Sequence, residues 1–189
     1  MRIIAGVAKG RNLVQVANAT RPTSDRAREA LFSSIQSEFG DFSNLTFIDL
    51  YAGSGAIGLE ALSRGFSQVV AVEKDESAIK TIKENYDLVK RANPNGKFSL
   101  IATSVKKYLN TPATSKFDVV FMDPPYETEN VEVEDVIKQL QNNQFLNSGA
   151  LIIIERPSKG SEITWPHPLK SSRMREYGTA VFYFATYEL

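Results

Sequence analysis

The sequence predicts an α/β fold built on a mostly parallel β-sheet. Three observations lead there. From residue 45 onward, short apolar runs alternate with amphipathic segments of helical period. The runs are near-continuously apolar, as strands covered by helices on both faces must be. Strand–helix alternation of this kind is what parallel pairing needs, because each crossover must carry the chain back to the same end of the sheet.

Residues 1–19, with RIIAG, VAKGR and NLVQV around Gly6 and Gly10, alternate weakly and read as a small β-hairpin that precedes a main domain of residues 20–189. TRPTS (20–24) breaks the chain and supplies helix-capping hydroxyls. DRAREALFSSIQSEF then places Ala27, Ala30, Leu31, Ile35 and Phe39 on one helical face. TFIDLY (46–51) is a strand, AIGLEALSRG (56–65) a helix closed by Gly65, and VVAVE (69–73) a second strand. DESAIKTIKENYDLVKR is a helix with Ile79, Ile82, Tyr86 and Val89 inward. NPNG (93–96) turns the chain into strand FSLIA (98–102), and a short helix follows around VKKYL. Strand DVVFM (118–122), a helix over 131–141 and strand ALIIIE (150–155) complete the alternation. SRMREYG and TAVFYFATYE have no helix between them, so they form a terminal antiparallel hairpin and bring the sheet to seven strands.

Composition narrows the chemistry. With 189 residues, 42% of them hydrophobic, the chain has the size and core of one domain. It has no cysteine, which excludes disulfides, thiolate metal sites and cysteine nucleophiles. Its single histidine, His167, lies between two prolines in WPHP, so no multi-histidine metal centre can form and no metal is expected. The opening MRIIAGVAKGR is too short an apolar run for a signal peptide, and no stretch approaches the ~18–20 apolar residues of a membrane span. The expectation is a cytoplasmic protein. Net charge is zero but unevenly spread. Residues 1–28 hold Arg2, Lys9, Arg11, Arg21, Arg26 and Arg28 against Asp25, a local +5. Basic ends around an acidic centre suit either a local anionic partner or ordinary solvated surface.

Two motifs carry chemistry. In FIDLYAGSGAIG (47–58), Gly53, Gly55 and Gly58 lie between a strand and a helix, the G-x-G-x-x-G arrangement in which the backbone turns sharply and approaches a ligand. Two acids qualify it. Asp49, at the strand's carboxyl end, would repel a pyrophosphate but welcome an ammonium. Glu73, closing the next strand, can accept hydrogen bonds from ribose hydroxyls. A ribose with a cationic amino-acid end describes S-adenosylmethionine (SAM) better than NAD, the literal fingerprint's ligand. The second motif is DPPY, at the end of an apolar strand (123–126). Ligands of open α/β sheets sit beyond the strands' carboxyl ends, so this loop faces the same crevice. Its prolines stiffen it and remove competing amide protons. Asp123 and the Pro124 carbonyl can accept from an exocyclic NH2 while Tyr126 offers a flat face to a base. The loop is an amine holder that aims a nitrogen lone pair at a methyl group, so that proximity does most of the catalysis.

The arrangement resembles the amino-group methyltransferases of the class I SAM-dependent superfamily, whose signature of Asp, Asn or Ser before Pro-Pro and an aromatic permits adenine N6, cytosine N4 or guanine N2. RIIAG with KGR, TRPTSDRAREALF, DLYAGSGAIGLEALSRG, VEKD and DPPY together look like the RsmD-type bacterial 16S rRNA guanine-N2 methyltransferases, from Arg2 into the last hairpin. That resemblance implies a Rossmann-like class I methyltransferase fold, SAM as cofactor, and a guanine amine of small-subunit RNA as acceptor, within an assembling 30S particle and with a monomeric enzyme. It implies that Asp49, Tyr51, Gly53, Gly55, Glu73 and Ser104 hold the cofactor, and that Asp123, Pro124 and Tyr126 hold the guanine. Arg21 and Thr23 would line the active site, and Arg11 would touch RNA phosphate. Tyr51 stands where such loops often carry Phe, and Ser104 where many class I enzymes carry Asp or Asn. The rival expectations are a DNA adenine-N6 methyltransferase, which uses the same DPPY but usually needs an added recognition region, and a NAD-dependent oxidoreductase, which lacks an evident proton donor here.

Overall fold

The computed structural model describes residues 1–16, 23–160 and 162–188. The strands are β1 (Thr46–Leu50), β2 (Gln68–Glu73), β3 (Lys97–Ala102), β4 (Phe117–Met122), β5 (Leu146–Pro157), β6 (Leu169–Tyr177) and β7 (Ala180–Tyr187). The helices are α1 (Asp25–Phe39), α2 (Ala56–Arg64), α3 (Glu76–Lys90), α4 (Val105–Leu109) and α5 (Asn130–Asn142). All seven strands join one sheet in the order β3-β2-β1-β4-β5-β7-β6. The first five are parallel, and β7 runs antiparallel between β5 and β6.

Period-two packing sorts the strand residues onto two cores. Phe47, Val69, Val119, Phe121, Leu151 and Ile153 pack with Leu31, Phe32 and Ile35 of α1 and Leu59 and Leu62 of α2. Ile48, Leu50, Val70, Val120, Met122, Ile152 and Ile154 pack on the other side with Leu109 of α4 and Val133, Ile137 and Leu140 of α5. Burial on both faces is why β1, β2 and β4 read as near-continuous apolar runs. The sheet edge β3 alternates exposed and half-buried positions instead.

Caps set the helix limits. Ser24 accepts from the Ala27 N–H and starts α1, and Asp75 accepts from the Ala78 N–H and starts α3. Gly65, at φ 105°, ends α2. Two inward faces differ from expectation. On α1, Arg28 and Phe32 are buried beside Ala27, Leu31 and Ile35, while Ala30 and Phe39 are half-buried. On α3, Ala78, Thr81 and Asn85 are buried and Ile79 and Tyr86 only half-buried. Polar side chains occupy inward positions there because buried backbone groups need partners.

Thr81 donates to the Ser77 carbonyl of its own helix, but most of those partners belong to the amino-terminal segment. The expected β-hairpin is a chain reversal without named strands: one bridge joins Arg2 and Asn12, and backbone bonds cross from the Ile3, Gly10 and Leu13 N–H groups to the Arg11, Ile3 and Met1 carbonyls. Further backbone groups of the segment bond to the main body. The Glu60 carboxylate of α2 accepts from the Ile4 and Ala5 N–H groups at 2.7 and 3.0 Å. The Ser63 hydroxyl accepts from the Ala8 N–H and donates to the Ala5 carbonyl. Asn85 pairs with both the N–H and the carbonyl of Val14, at 2.7 and 2.9 Å, and also donates to the Ser54 carbonyl at 3.0 Å. Ile3, Ala8 and Leu13 join the same core as α1 and α2.

Two arginines are structural links. Arg173 of β6 donates to the Ser34 carbonyl, pairs with Glu38 and lies over the Phe184 ring. Arg156 anchors a loop of the site. His167 is exposed, in a turn before β6. No helix among the described residues is long and apolar enough to cross a membrane.

Candidate active site

The sheet order reverses between β1 and β4, and the crevice at such a switch point, beyond the strands' carboxyl ends, is where open α/β sheets bind ligands. A cavity of about 790 Å³ opens there. Its lining includes Asp49, Tyr51, Gly53, Glu73, Ser104, Asp123, Pro124, Tyr126 and Thr23, so one cavity gathers residues read from four separate motifs. Gly55 and Arg11 are not in that lining. Gly55, at φ 77°, caps α2, and a Cβ there would press on Ile82 at 3.2 Å. Arg11 lies on the amino-terminal reversal, its carbonyl accepting from the Ile3 N–H. Arg21 lies outside the described residues.

The glycine loop is held by the two acids. Asp49 Oδ2 accepts from the Gly58 N–H at 2.9 Å in the first turn of α2. Glu73 Oε2 accepts from the Gly53 N–H at 2.8 Å, and its Oε1 from the N–H groups of Lys74 and Asp75. Glu73 therefore shapes the loop as well as facing the cavity. Ser104 caps α4, its hydroxyl accepting from the Lys107 N–H at 3.3 Å.

Burial pushes Asp49 up to about 7, the nearby Glu73 charge adds to this, and the Gly58 N–H opposes it. Asp123, half-buried by surface area but enclosed by protein atoms, is held well above the usual carboxylate range, first by burial and then by Glu155 and Asp49, with Arg156 opposing. Burial also raises Glu155, against a hydrogen bond from the Thr23 hydroxyl at 2.7 Å. Asp49 and Asp123 thus line a poorly solvated wall with the Glu155 charge near Asp123, and a cation in the cavity would relieve them. Burial and the Glu132 charge push Tyr51 up to about 12, so it stays a neutral phenol.

The DPPY loop follows β4. Pro124 is buried, whereas Tyr126 is 46% exposed, with its ring at the cavity wall. Arg156, nearly buried at the end of β5, donates from Nη2 to the Thr128 carbonyl at 2.5 Å and from Nη1 to the Pro125 carbonyl at 3.4 Å. Pro125's carbonyl also takes the Thr128 N–H. The Pro124 carbonyl is engaged by neither. Arg156 and Glu155 were not foreseen as site residues, although Glu155 carries the signal that flagged Asp49 and Glu73: an acid closing an apolar strand. Arg28 carried none. It sits in a basic stretch that reads as surface, yet it is fully buried and lines the cavity.

A family model described as "Conserved hypothetical protein 95" matches residues 1–186. The ribosomal RNA small subunit methyltransferase D of Haemophilus influenzae is 33% identical over 190 residues, covering all of this chain and 93% of its own. The chain belongs to the ribosomal RNA small subunit methyltransferase D family. Within that family's fold, the solved yhhF protein of Escherichia coli superposes with a TM-score of 0.84 at 29% identity, covering 100% of this chain and 98% of its own. A more distant structure, the magnesium protoporphyrin IX methyltransferase of Synechocystis with bound SAM, has a TM-score of 0.66 at 11% identity, over 86% of this chain and 79% of its own. It shares the fold alone. This chain is a SAM-dependent methyltransferase with the class I fold. The residues present suit that cofactor: a cavity of ligand size, a glycine loop that lets the backbone approach, and a buried acid awaiting a cation.

Proposed function

We propose that this enzyme methylates the exocyclic N2 amine of a guanine in 16S rRNA, within the assembling small subunit, as a cytoplasmic monomer. The observation that carries the reading is that DPPY opens onto the same cavity as Asp49 and Glu73, with the Tyr126 ring exposed beside it. The names of the family's relatives support ribosomal RNA as the acceptor. When bound, SAM supplies an electrophilic methyl group.

The protein's own groups do the rest. Asp49 takes the cofactor's ammonium and Glu73 its ribose hydroxyls, while Tyr51, Gly53 and Ser104 close around it and Gly55 shapes the turn. Asp123 and the Pro124 carbonyl accept the two N–H bonds of the guanine amine. Both acceptors draw density onto the nitrogen and hold its lone pair along the line of transfer. Tyr126 stacks on the base. After the N–C bond forms, the nitrogen's surplus proton passes to Asp123, whose burial beside Glu155 raises its proton affinity. Arg21 and Thr23 border the acceptor side, and residues 1–19 act as a binding extension on the domain formed by residues 20–189, with Arg11 on an RNA phosphate.

The test offers labelled SAM with three acceptors: subunits lacking the modification, their stripped 16S RNA, and duplex DNA. The digested nucleosides are then identified. N2-methylguanosine from subunits is expected. Asp123→Ala should lower the rate by ~100-fold or more while SAM affinity stays within about threefold. N6-methyladenine from DNA would replace this acceptor with another, and equal labelling of stripped RNA would remove the particle from the proposal.

A further inference from the structure

Among the described residues, Arg28 is the one wholly buried cation of the cavity wall, and it is only partly satisfied. Its side chain is 0% exposed, yet it lies in α1 behind the Thr23 segment, where it lines the 790 Å³ cavity. Nη2 spends its two protons on the Arg2 carbonyl at 2.6 Å and on Asp25 Oδ1 at 2.7 Å. Nε and both protons of Nη1 have no partner among the described residues. A buried charged donor left unpaired is costly, so such groups mark a place where a ligand completes the set.

That ligand must be anionic, because a guanidinium donates and never accepts. It must also reach the site through the cavity, since Arg28 has no exposed surface. The same cavity holds Asp49, whose one hydrogen-bond partner among the described residues is the Gly58 N–H. An acid bonded only to a backbone N–H and a guanidinium with Nε and Nη1 still unpaired, in one cavity, match a zwitterion, such as the α-amino-acid end of the cofactor. We infer that Arg28 receives the carboxylate of SAM's amino-acid end, opposite the ammonium that Asp49 receives. This rests on the cofactor placement proposed above. Arg28 then serves two ends at once, because the guanidinium that takes the carboxylate also holds the Arg2 carbonyl, and so the amino-terminal segment, through Nη2.

Calorimetry with three ligands tests this on the full chain: SAM, decarboxylated SAM, which lacks only the carboxylate, and 5′-methylthioadenosine, which lacks the amino-acid end. The wild-type protein is expected to prefer SAM over decarboxylated SAM by about tenfold or more, the range of a charge-assisted hydrogen bond. Arg28→Met should bind the two alike and keep its affinity for methylthioadenosine. Equal wild-type binding of the first two ligands, or an undiminished preference in Arg28→Met, would overturn the assignment. Failure of the folded wild type to bind any of the three would instead overturn the cofactor placement. Should Arg28→Met not fold, the arginine Nε resonance that Arg28→Lys removes decides the matter in wild-type protein. It should shift with SAM and not with decarboxylated SAM, and a signal unmoved by either would sink the inference.

Discussion

At Asp49, one carboxylate oxygen is committed to the Gly58 N–H and the group has a proton affinity raised to about 7 from 3.8. Between those values the folded, ligand-free protein keeps a proton that the unfolded chain has lost. This group's contribution to stability is therefore best at low pH and declines as pH rises to about 7. Cofactor binding runs the other way, because the ammonium needs the ionised acid. SAM affinity should weaken by up to about tenfold per pH unit below 7. Asp49→Asn should bind more weakly and without that dependence. Calorimetry from pH 5 to 8 checks both, and a flat wild-type profile would detach Asp49 from the ammonium. Arg156 is a positioning residue, acting through the two carbonyls it holds. Arg156→Lys loses the planar fork, so turnover should fall by up to ~100-fold with SAM affinity kept within about threefold. A matching loss of SAM affinity would show that the loop is not what it positions.

Among the elements, the amino-terminal segment is the least conventional. It has one bridge and a few backbone bonds of its own, and takes further backbone partners from Glu60, Ser63 and Asn85. Two of its glycines make a controlled comparison, since both have positive φ, 79° and 84°. A Cβ on Gly6 would lie 1.8 Å from the Ser63 carbonyl oxygen, whereas one on Gly10 would meet nothing within 4 Å. Gly10→Ala should therefore cost only the left-handed backbone penalty of about 1–2 kcal/mol. Gly6→Ala should cost clearly more and lift the segment off α2. Denaturant unfolding of both variants measures the difference, and equal losses would mean that the close contact does not hold the segment. Periodicity located α1 to α5 well, since apolar spacing follows directly from helix geometry. It missed Arg28, Thr81 and Asn85 as inward residues, because a polar side chain is buried only where a backbone or ligand partner waits for it.

For the whole molecule, the order of strands decides which motifs can cooperate. The glycine loop and DPPY are some seventy residues apart, yet β1 and β4 are hydrogen-bonded neighbours. The basic amino terminus borders the same opening, with Met1, Gln15 and Val16 in the cavity lining. Of the six basic residues that suggested an anionic partner, Arg28 is buried and turned to the cavity. Arg11→Ala should weaken rRNA binding a few-fold without changing base preference. It should also reduce the slope of log affinity against log salt by about 1, measured by filter binding across a salt series. An unchanged slope would remove Arg11 from the RNA contacts.

The sequence by itself determined the α/β alternation, the seven strands, the antiparallel end, and the two loops that face a ligand. Hydrophobic period, glycine spacing and proline stiffness are local properties, written in neighbouring residues. Only the tertiary structure decided that Gly55 supports the turn, that Glu73 binds the loop's own backbone, that the amino terminus is stapled to the main body, that Arg28 is buried in the cavity wall, and that Arg156 holds the loop after DPP. Each of those depends on which polar group finds which partner across the fold, and hydrogen-bond partners tens of residues apart leave no periodic trace in the chain.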